Sequence, residues 1–284
     1  MPRTLRPAAG ALLLLAVGTV LSAAPARAQY AEGGARTLAL GRAGVALGGD
    51  AWGHLNPAAW ASVEGGQAAL QASQAFGLSE LRLGALAAVL PTPVGVAALG
   101  ARTYGFDEHR ETRVVVGLGR TLPLSPKRRL DVALAVGYES AATEGFGSSG
   151  SVLVSAGVQG EVLSRLRIGL AGRNLLGIVR GEDDDLRHSA ATVPGVAVGL
   201  AYAASDRAVL VLDADQDLDF GLSVRGGIEV RPVDALALRV GAGSEPVRFS
   251  AGAGVVVGPL RADLAVELHQ ELGMTPAVGV AFGF

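Results

Sequence analysis

The ten residues Leu260 to His269 constrain this chain more than any others. Leu260, Ala262, Leu264, Val266 and Leu268 alternate with Arg261, Asp263, Ala265, Glu267 and His269. A period of two marks a β-strand whose two faces meet different surroundings. The split recurs at 165–174, where Leu166, Ile168 and Leu170 oppose Arg165, Arg167, Gly169 and Arg173. It recurs at 130–139, where Leu130, Val132, Leu134, Val136 and Tyr138 oppose Asp131, Gly137 and Glu139. Fourteen such runs are expected, at about 66–76, 80–90, 94–102, 112–122, 129–139, 151–161, 165–175, 194–203, 207–215, 220–230, 235–243, 247–257, 260–268 and 275–284. Their connections alternate as well. Pro91 to Pro93, Val162 to Ser164 and Gly258-Pro259 have turn chemistry, whereas Tyr104 to Glu111, Ser140 to Gly150 and Leu176 to Thr192 are longer, polar and glycine-rich. An up-and-down barrel with unlike ends accounts for both patterns.

The polarity of the faces decides which kind of barrel. A closed sheet of fourteen strands encloses a lumen too wide for side chains alone to fill, which argues against a soluble barrel with an apolar interior. A membrane barrel instead turns its apolar face to lipid and satisfies every ladder hydrogen bond by closure. Half the residues are hydrophobic, high for a soluble exported domain. The fold expected is therefore an all-β, transmembrane, antiparallel barrel of about fourteen strands. Its lumen-facing charges are expected to include Arg165, Arg167, Arg173, Arg239, Arg261, Asp263, Glu229 and Glu267, joined by Arg82, Arg113, Arg225, Arg248, Asp131 and Glu139. Opposite signs on neighbouring strands would pair and hold the wall or a plug, or else form a polar constriction. Aromatic residues are only 5% of the chain, so the interfacial girdles would be thin.

The two ends fit export and membrane assembly. Residues 1–28 read as a signal peptide: Arg3 and Arg6 are followed by the apolar stretch Ala11 to Leu21 and the cleavage pattern Ala26-Arg27-Ala28, which places the mature start at Gln29. At the other end Val278, Val280, Phe282 and Phe284 share a face. The terminal aromatic resembles the signal read by outer-membrane assembly machinery, which makes Phe282 and Phe284 the candidate assembly signal and the outer membrane of a Gram-negative-type bacterium the expected location. Residues 29–64 then form a segment that precedes the barrel of 65–284.

That segment contains GRAGVALGGDAWGHLNPAAWA, residues 41–61, with the small-residue stretch Gly44 to Gly49, then Asp50-Ala51, then Asn56-Pro57-Ala58. Its order resembles the N-terminal motif of the PorV/PorQ family, within the broader FadL-like class of outer-membrane barrels. Further matches are Leu170 to Leu175, Gly227 to Pro232 followed by Leu236 to Gly241, and His269 to Gly273. The resemblance implies a fourteen-stranded barrel whose N-terminal segment folds into the lumen as a plug. Within this class, FadL-like members pass hydrophobic small molecules, whereas PorV and PorQ are non-enzymatic partners of the type IX protein-secretion apparatus. In the plug, Asp50 would cap a helical turn that Pro57 ends. Trp52, Leu55 and Trp60 would pack, and Asp50 and Asn56 would meet lumen arginines.

Little else carries chemistry. Asp213, Asp215, Asp217 and Asp219 alternate, but the calcium-loop template fails at Leu218 and Val224, so a lumen-facing strand end running into a solvated loop is expected. The acidic run Glu182 to Asp185 reads as a solvated loop, with a divalent ion as the alternative. His54, His109, His188 and His269 lack metal-pair spacing. Gly117 and Gly119 read as barrel packing rather than a nucleotide loop. There is no cysteine, and the net charge of −2 argues against nucleic-acid binding. No catalytic residue, metal or cofactor is expected. The expected partners are outer-membrane lipid, the barrel assembly machinery, and either a secretion-channel protein or a hydrophobic small molecule.

Three functions compete. A PorV/PorQ-type secretion partner requires no pocket but an apolar rim on its outer loops. A FadL-like channel requires an apolar pocket beside the plug and a gap in the wall near a glycine-rich strand. A structural barrel or simple porin requires an open lumen. All three require insertion, so heat-modifiable gel mobility in detergent is expected; recovery of the protein in soluble form from the periplasm would contradict the barrel reading.

Overall fold

The computed structural model describes residues 33–53, 55–126, 128–181, 193–217 and 221–284. The signal peptide, His54, the acidic run 182–185, His188, Leu218, Asp219 and Phe220 lie outside the described residues. Fourteen strands form one closed antiparallel barrel in which each pairs with its sequence neighbour and the last with the first. They are β1 (Gln67–Gln74), β2 (Arg82–Thr92), β3 (Gly95–Gly105), β4 (His109–Ser125), β5 (Arg128–Thr143), β6 (Gly147–Leu163), β7 (Leu166–Gly181), β8 (Gly195–Ser205), β9 (Ala208–Asp217), β10 (Leu222–Val233), β11 (Leu236–Gly243), β12 (Arg248–Val257), β13 (Leu260–His269) and β14 (Gly273–Gly283).

The number of strands and their order are those expected from the alternation. The extents differ at β4 to β7, which run for 16 or 17 residues. Ser140 to Gly150, expected as a loop, is instead the paired ends of β5 and β6, with Ser140 opposite Gly150 and Thr143 opposite Gly147. Ladder hydrogen bonds need backbone rather than apolar side chains, so polar strand ends leave no period-two signal. Strands are joined through two residues at one end of the barrel, as at Pro93-Val94 and Gly258-Pro259, and through longer segments at the other.

The wall is inside-out relative to a soluble protein. Leu70 and Leu264 are each 63% exposed on the outer face, while Glu267 and Glu229 are 1% and 2% exposed within. Two residues correct the expected lumen set: Arg82 is exposed on the outer face of β2, in step with outward Gly84 and Leu86, and Arg165 lies outside the strand. It stands in the turn between β6 and β7 at a φ of 72°, exposed and 3.5 Å from Asp206 of the adjacent turn. The alternation through Arg167 ends one residue before the strand does.

The lumen is filled by the chain's own N-terminal segment. Helix α1 (Gly34–Ala39) lies against β11 to β14, and a 3-10 turn, Pro57–Ser62, lies against β3 to β6. Pro57 begins this turn rather than ending one. Its fixed φ and missing N–H suit the first helical position, and Asn56 caps it by accepting from Ala58 N at 3.0 Å. Asp50 caps only a local turn, accepting from Trp52 N at 3.0 Å. Trp60 donates Nε1–H to Ala51 O at 3.0 Å and packs with Trp52, Val63, Val89 and Val115.

Lumen-facing glycines make the contact between segment and wall. An added methyl would strike the Val45 carbonyl at Gly169, the Leu40 backbone at Gly227, the Leu40–Gly41 backbone at Gly241, the Trp60 ring at Gly117, the Ala61 backbone at Gly119 and Asn56 Oδ1 at Gly157. The segment answers in kind. Gly41, at a φ of 71°, faces the Ala242 backbone, where a side chain has neither room nor an easy conformation. Glycine in a strand interior weakens it unless another backbone approaches there, and here one does.

Gly157→Ala is expected to cost about 1–3 kcal/mol of segment docking by overpacking, read as faster proteolysis within residues 33–63. Gly84→Ala, where the methyl meets only Thr103 Cγ2 at 3.8 Å, should leave the digestion rate unchanged.

Candidate functional site: the filled lumen and the membrane-side cavities

A line of ion pairs starts and ends on the N-terminal segment. Arg36 of α1 donates Nε–H and Nη2–H to Glu229 of β10 at 2.8 and 3.0 Å. Arg239 of β11 donates Nε–H to the same carboxylate at 2.7 Å and Nη1–H to Asp263 of β13 at 2.7 Å. Arg261 lies 3.0 Å from Asp263 and donates to Asp50 of the segment at 3.4 Å. Three cations and three anions thus alternate across four elements, with Arg231 as a further, half-exposed donor to Glu229. Burial opposes the charge on Arg36, yet Glu229 outweighs it and holds the guanidinium above its ordinary pKa.

Further contacts tie the segment to the wall. Arg42, at a φ of 63°, makes a two-pronged bond to Glu267 at 2.8 and 2.7 Å. Asp213 of β9 accepts from Gly44 N at 2.6 Å and Val45 N at 3.0 Å. Arg167 reaches Asp131 at 3.0 Å and Ala46 O at 3.3 Å. Asn56 meets no arginine. Its amide donates to Val45 O at 2.7 Å and Val158 O at 3.3 Å, so it joins segment to wall through backbone carbonyls.

The described aspartates of β9 face the lumen, as expected. Asp213 and Asp215 are each 2% exposed. Arg173 grips Asp215 at 2.7 and 2.8 Å and Asp217 at 3.0 Å, and Arg225 reaches Asp215 at 3.2 Å. The spacing that imitates a calcium loop puts three carboxylates on one lumen face, where arginines neutralise Asp215 and Asp217 and the backbone N–H groups of Gly44 and Val45 take up Asp213. Among the described residues no cluster of His, Asp or Glu could hold a metal ion. Arg36, Arg42 and the plug-binding role of Asp213 escape the strand pattern because two of them sit outside any strand. Two cations in an otherwise small-residue segment are the available clue.

Three cavities lie on the outer, membrane-facing side of the wall. The largest, about 1200 Å³, spans β12 to β14 and β1 to β3. Ala72, Gly84, Ala251, Ala253 and Pro276 occupy outward positions there, and Gln74 and Arg82 stand at its long-loop rim. Behind it the wall is thin: Ala265 and Ala277 pack directly on Ala35, Leu38 and Ala39 of α1. A second cavity of about 600 Å³ adjoins it and shares Ala72, Gly84 and Thr103. The third, about 580 Å³, lies over Gly226, Gly227, Gly241 and Ala242 of β10 and β11, with Leu40 and Gly41 on the other side of the same glycines.

No gap accompanies these cavities. The ladders from β13 through β14 and β1 to β2 run without a register shift, and Gly227 still pairs with Gly241. The mid-wall irregularity lies instead between β6 and β7, where Arg173, Asn174 and Leu175 oppose the single Ser155. Asn174, at a φ of 51°, fills that bulge by donating N–H to Ser155 Oγ at 3.0 Å and Nδ2–H to Val193 O at 3.2 Å, and by accepting from Arg113 at 3.0 Å.

Solved structures share this architecture. The chain is similar to the toluene transporter TodX of Pseudomonas putida, with a TM-score of 0.61 at 12% identity over 90% of this chain and 99% of that one. It is similar to the toluene transporter TbuX of Ralstonia pickettii, at 0.56 and 12% over 88% and 97%, and to a Pseudomonas aeruginosa FadL homologue, at 0.54 and 11% over 88% and 96%. The shared feature is the fold. No protein-family model matches the chain, and no curated protein sequence matches it. The likeness shows the fold alone, and PorV or PorQ in particular is not shown.

Removing one member of a buried ion pair costs about 3–5 kcal/mol, because the partner stays buried without its counter-charge. Glu229→Gln is expected to loosen α1 from the wall, seen as a rise in planar-bilayer conductance over wild type while heat-modifiable mobility is retained.

Proposed function

We propose that this protein is a non-enzymatic outer-membrane barrel that passes small hydrophobic molecules, with residues 29–64 as its plug and the membrane-side cavity over β12 to β3 as a way station. The observation that carries the reading is that cavity. It is large and apolar, it opens toward lipid, and only alanine and glycine separate it from α1 of the plug. A hydrophobic solute gains about 25 cal/mol for each Å² it removes from water, so such a recess concentrates it beside the element that must move. The plug residues Asp50, Trp52, Asn56 and Pro57 serve closure, the lumen charges Arg167, Arg239, Arg261, Asp263, Glu229 and Glu267 serve as its latch, and Arg173 braces β7 against β9.

The fold shared with toluene transporters supports passage over the secretion role. A secretion partner of the PorV/PorQ type calls for no pocket, and the filled lumen argues against a simple open porin. Export through the 1–28 signal peptide and assembly through Phe282 and Phe284, both exposed at the end of β14, belong to the same reading, with outer-membrane lipid around the wall.

Gly84→Leu fills the cavity from an outward position with open space around it. Cells that express the wild type should take up toluene faster than cells without it, and the variant should lose most of that gain while reaching the membrane in equal amount. Equal uptake with and without the wild-type protein would end the transport reading.

A further inference from the structure

We propose that the long-loop half of the lumen contains a binding site for a small oxyanion, such as phosphate or sulfate, built on Arg248. This residue opens β12, faces the lumen and is 7% exposed. Its side chain makes no hydrogen bond or ion pair with any described residue, and its Nε is buried without an acceptor. The other arginines buried to that degree each have a carboxylate: Arg42 has Glu267 at 2.7 Å, Arg102 has Glu139 at 3.2 Å, Arg225 has Asp215 at 3.2 Å and Arg239 has Glu229 at 2.7 Å. A buried guanidinium Nε–H without an acceptor costs the desolvation of a charged donor, and the group cannot shed its proton to escape that cost. The described residues therefore leave room beside Arg248 for an anion that they do not themselves supply.

The surroundings suit one. Register places Arg225, Gly243, Arg248 and His269 side by side on β10, β11, β12 and β13, and Gly243 puts no side chain between the two arginines. A methyl at Gly243 would come only within 3.6 Å of Arg225 Cγ. His269 Nδ1 accepts from Glu271 N at 3.1 Å and Leu272 N at 3.2 Å, which leaves Nε2–H as its donor. Phe76 lies edge-on to the His269 ring at 5.6 Å and is tied to Thr275 by its own N–H at 3.1 Å, so the connection after β1 shelters the row. Glu267, the carboxylate that acts on Arg248 electrostatically, has both oxygens engaged by Arg42. The planar fork of Arg248 matches the paired oxygens of an oxyanion better than a spherical halide. Arg42 belongs to the N-terminal segment and Arg248 to the wall, and the two lie within electrostatic reach of each other. An anion between them relieves like-charge repulsion where segment meets wall.

This inference stands apart from the transport reading, since it concerns only the unpaired guanidinium. The test uses the full-length protein in detergent, titrated with sodium phosphate or sodium sulfate at constant ionic strength against sodium chloride. A ligand that binds only the folded state raises the unfolding midpoint in a saturable way, and calorimetry should count one phosphate per barrel. In Arg248→Met the phosphate-dependent rise should vanish, while the midpoint in chloride stays at or above that of wild type because an unpaired buried charge is gone. Arg248→Lys keeps the charge without the fork and should need more phosphate for half of the rise. Arg120→Met, at an exposed position, should respond as wild type does. The site would be overturned by a wild-type midpoint insensitive to both oxyanions, by an undiminished rise in Arg248→Met, or by an Arg248→Met barrel less stable in chloride than wild type.

Discussion

A closed sheet of fourteen strands encloses more space than its own inward side chains can occupy, and the rest of this structure depends on how that space is filled. The chain fills it with its own N-terminal residues, whose backbone must lie almost against the wall. That contact demands glycine on one side or the other, and often on both: Gly169 beneath Val45, Gly227 and Gly241 beneath Leu40, and Gly41 beneath Ala242. The abundance of 41 glycines, which destabilises ordinary strands, here follows from the steric needs of a filled barrel.

Electrostatics supplies what close packing cannot. A lumen lined with arginine and carboxylate would be wet and loosely specified if each pair stood alone. Here the pairs run in series from Arg36 through Glu229, Arg239, Asp263 and Arg261 to Asp50. Both ends of the series belong to the segment being held, so docking completes the charge pairing of three wall strands. Desolvation makes such pairs a poor source of net stability but a strong source of specificity once formed. Docking of the segment satisfies Glu229 through Arg36 and Asp50 through Arg261 at once.

The barrel was legible in the sequence because lipid and lumen impose opposite demands on alternate residues, and strands such as β13 obey them at every position. Legibility failed where that contrast disappears. The ends of β5 and β6 are polar on both faces and read as loop. Arg165 continues the lumen parity into a turn where parity has no meaning. Pro57 reads equally as a stop or a start, and only Asn56, free to cap, decides between them. The glycines were visible as a composition but not as contacts, because Gly157 and Asn56 are about a hundred residues apart and nothing local connects them. Arg36 and Arg42 carry no periodic signal, and Asp213 was masked by a spacing that also describes a metal loop.

The segment is joined to the wall at the place where the barrel closes. Gly66 and Phe284 exchange backbone hydrogen bonds at 2.8 and 2.9 Å, so the last rung between β14 and the start of β1 lies beside the residues on which the segment turns into the lumen. The filler is therefore leashed to the seam by a handful of residues. Undocking makes it a neighbour at high local concentration rather than a departed ligand. Redocking of an undocked segment is then a unimolecular equilibrium, independent of protein concentration.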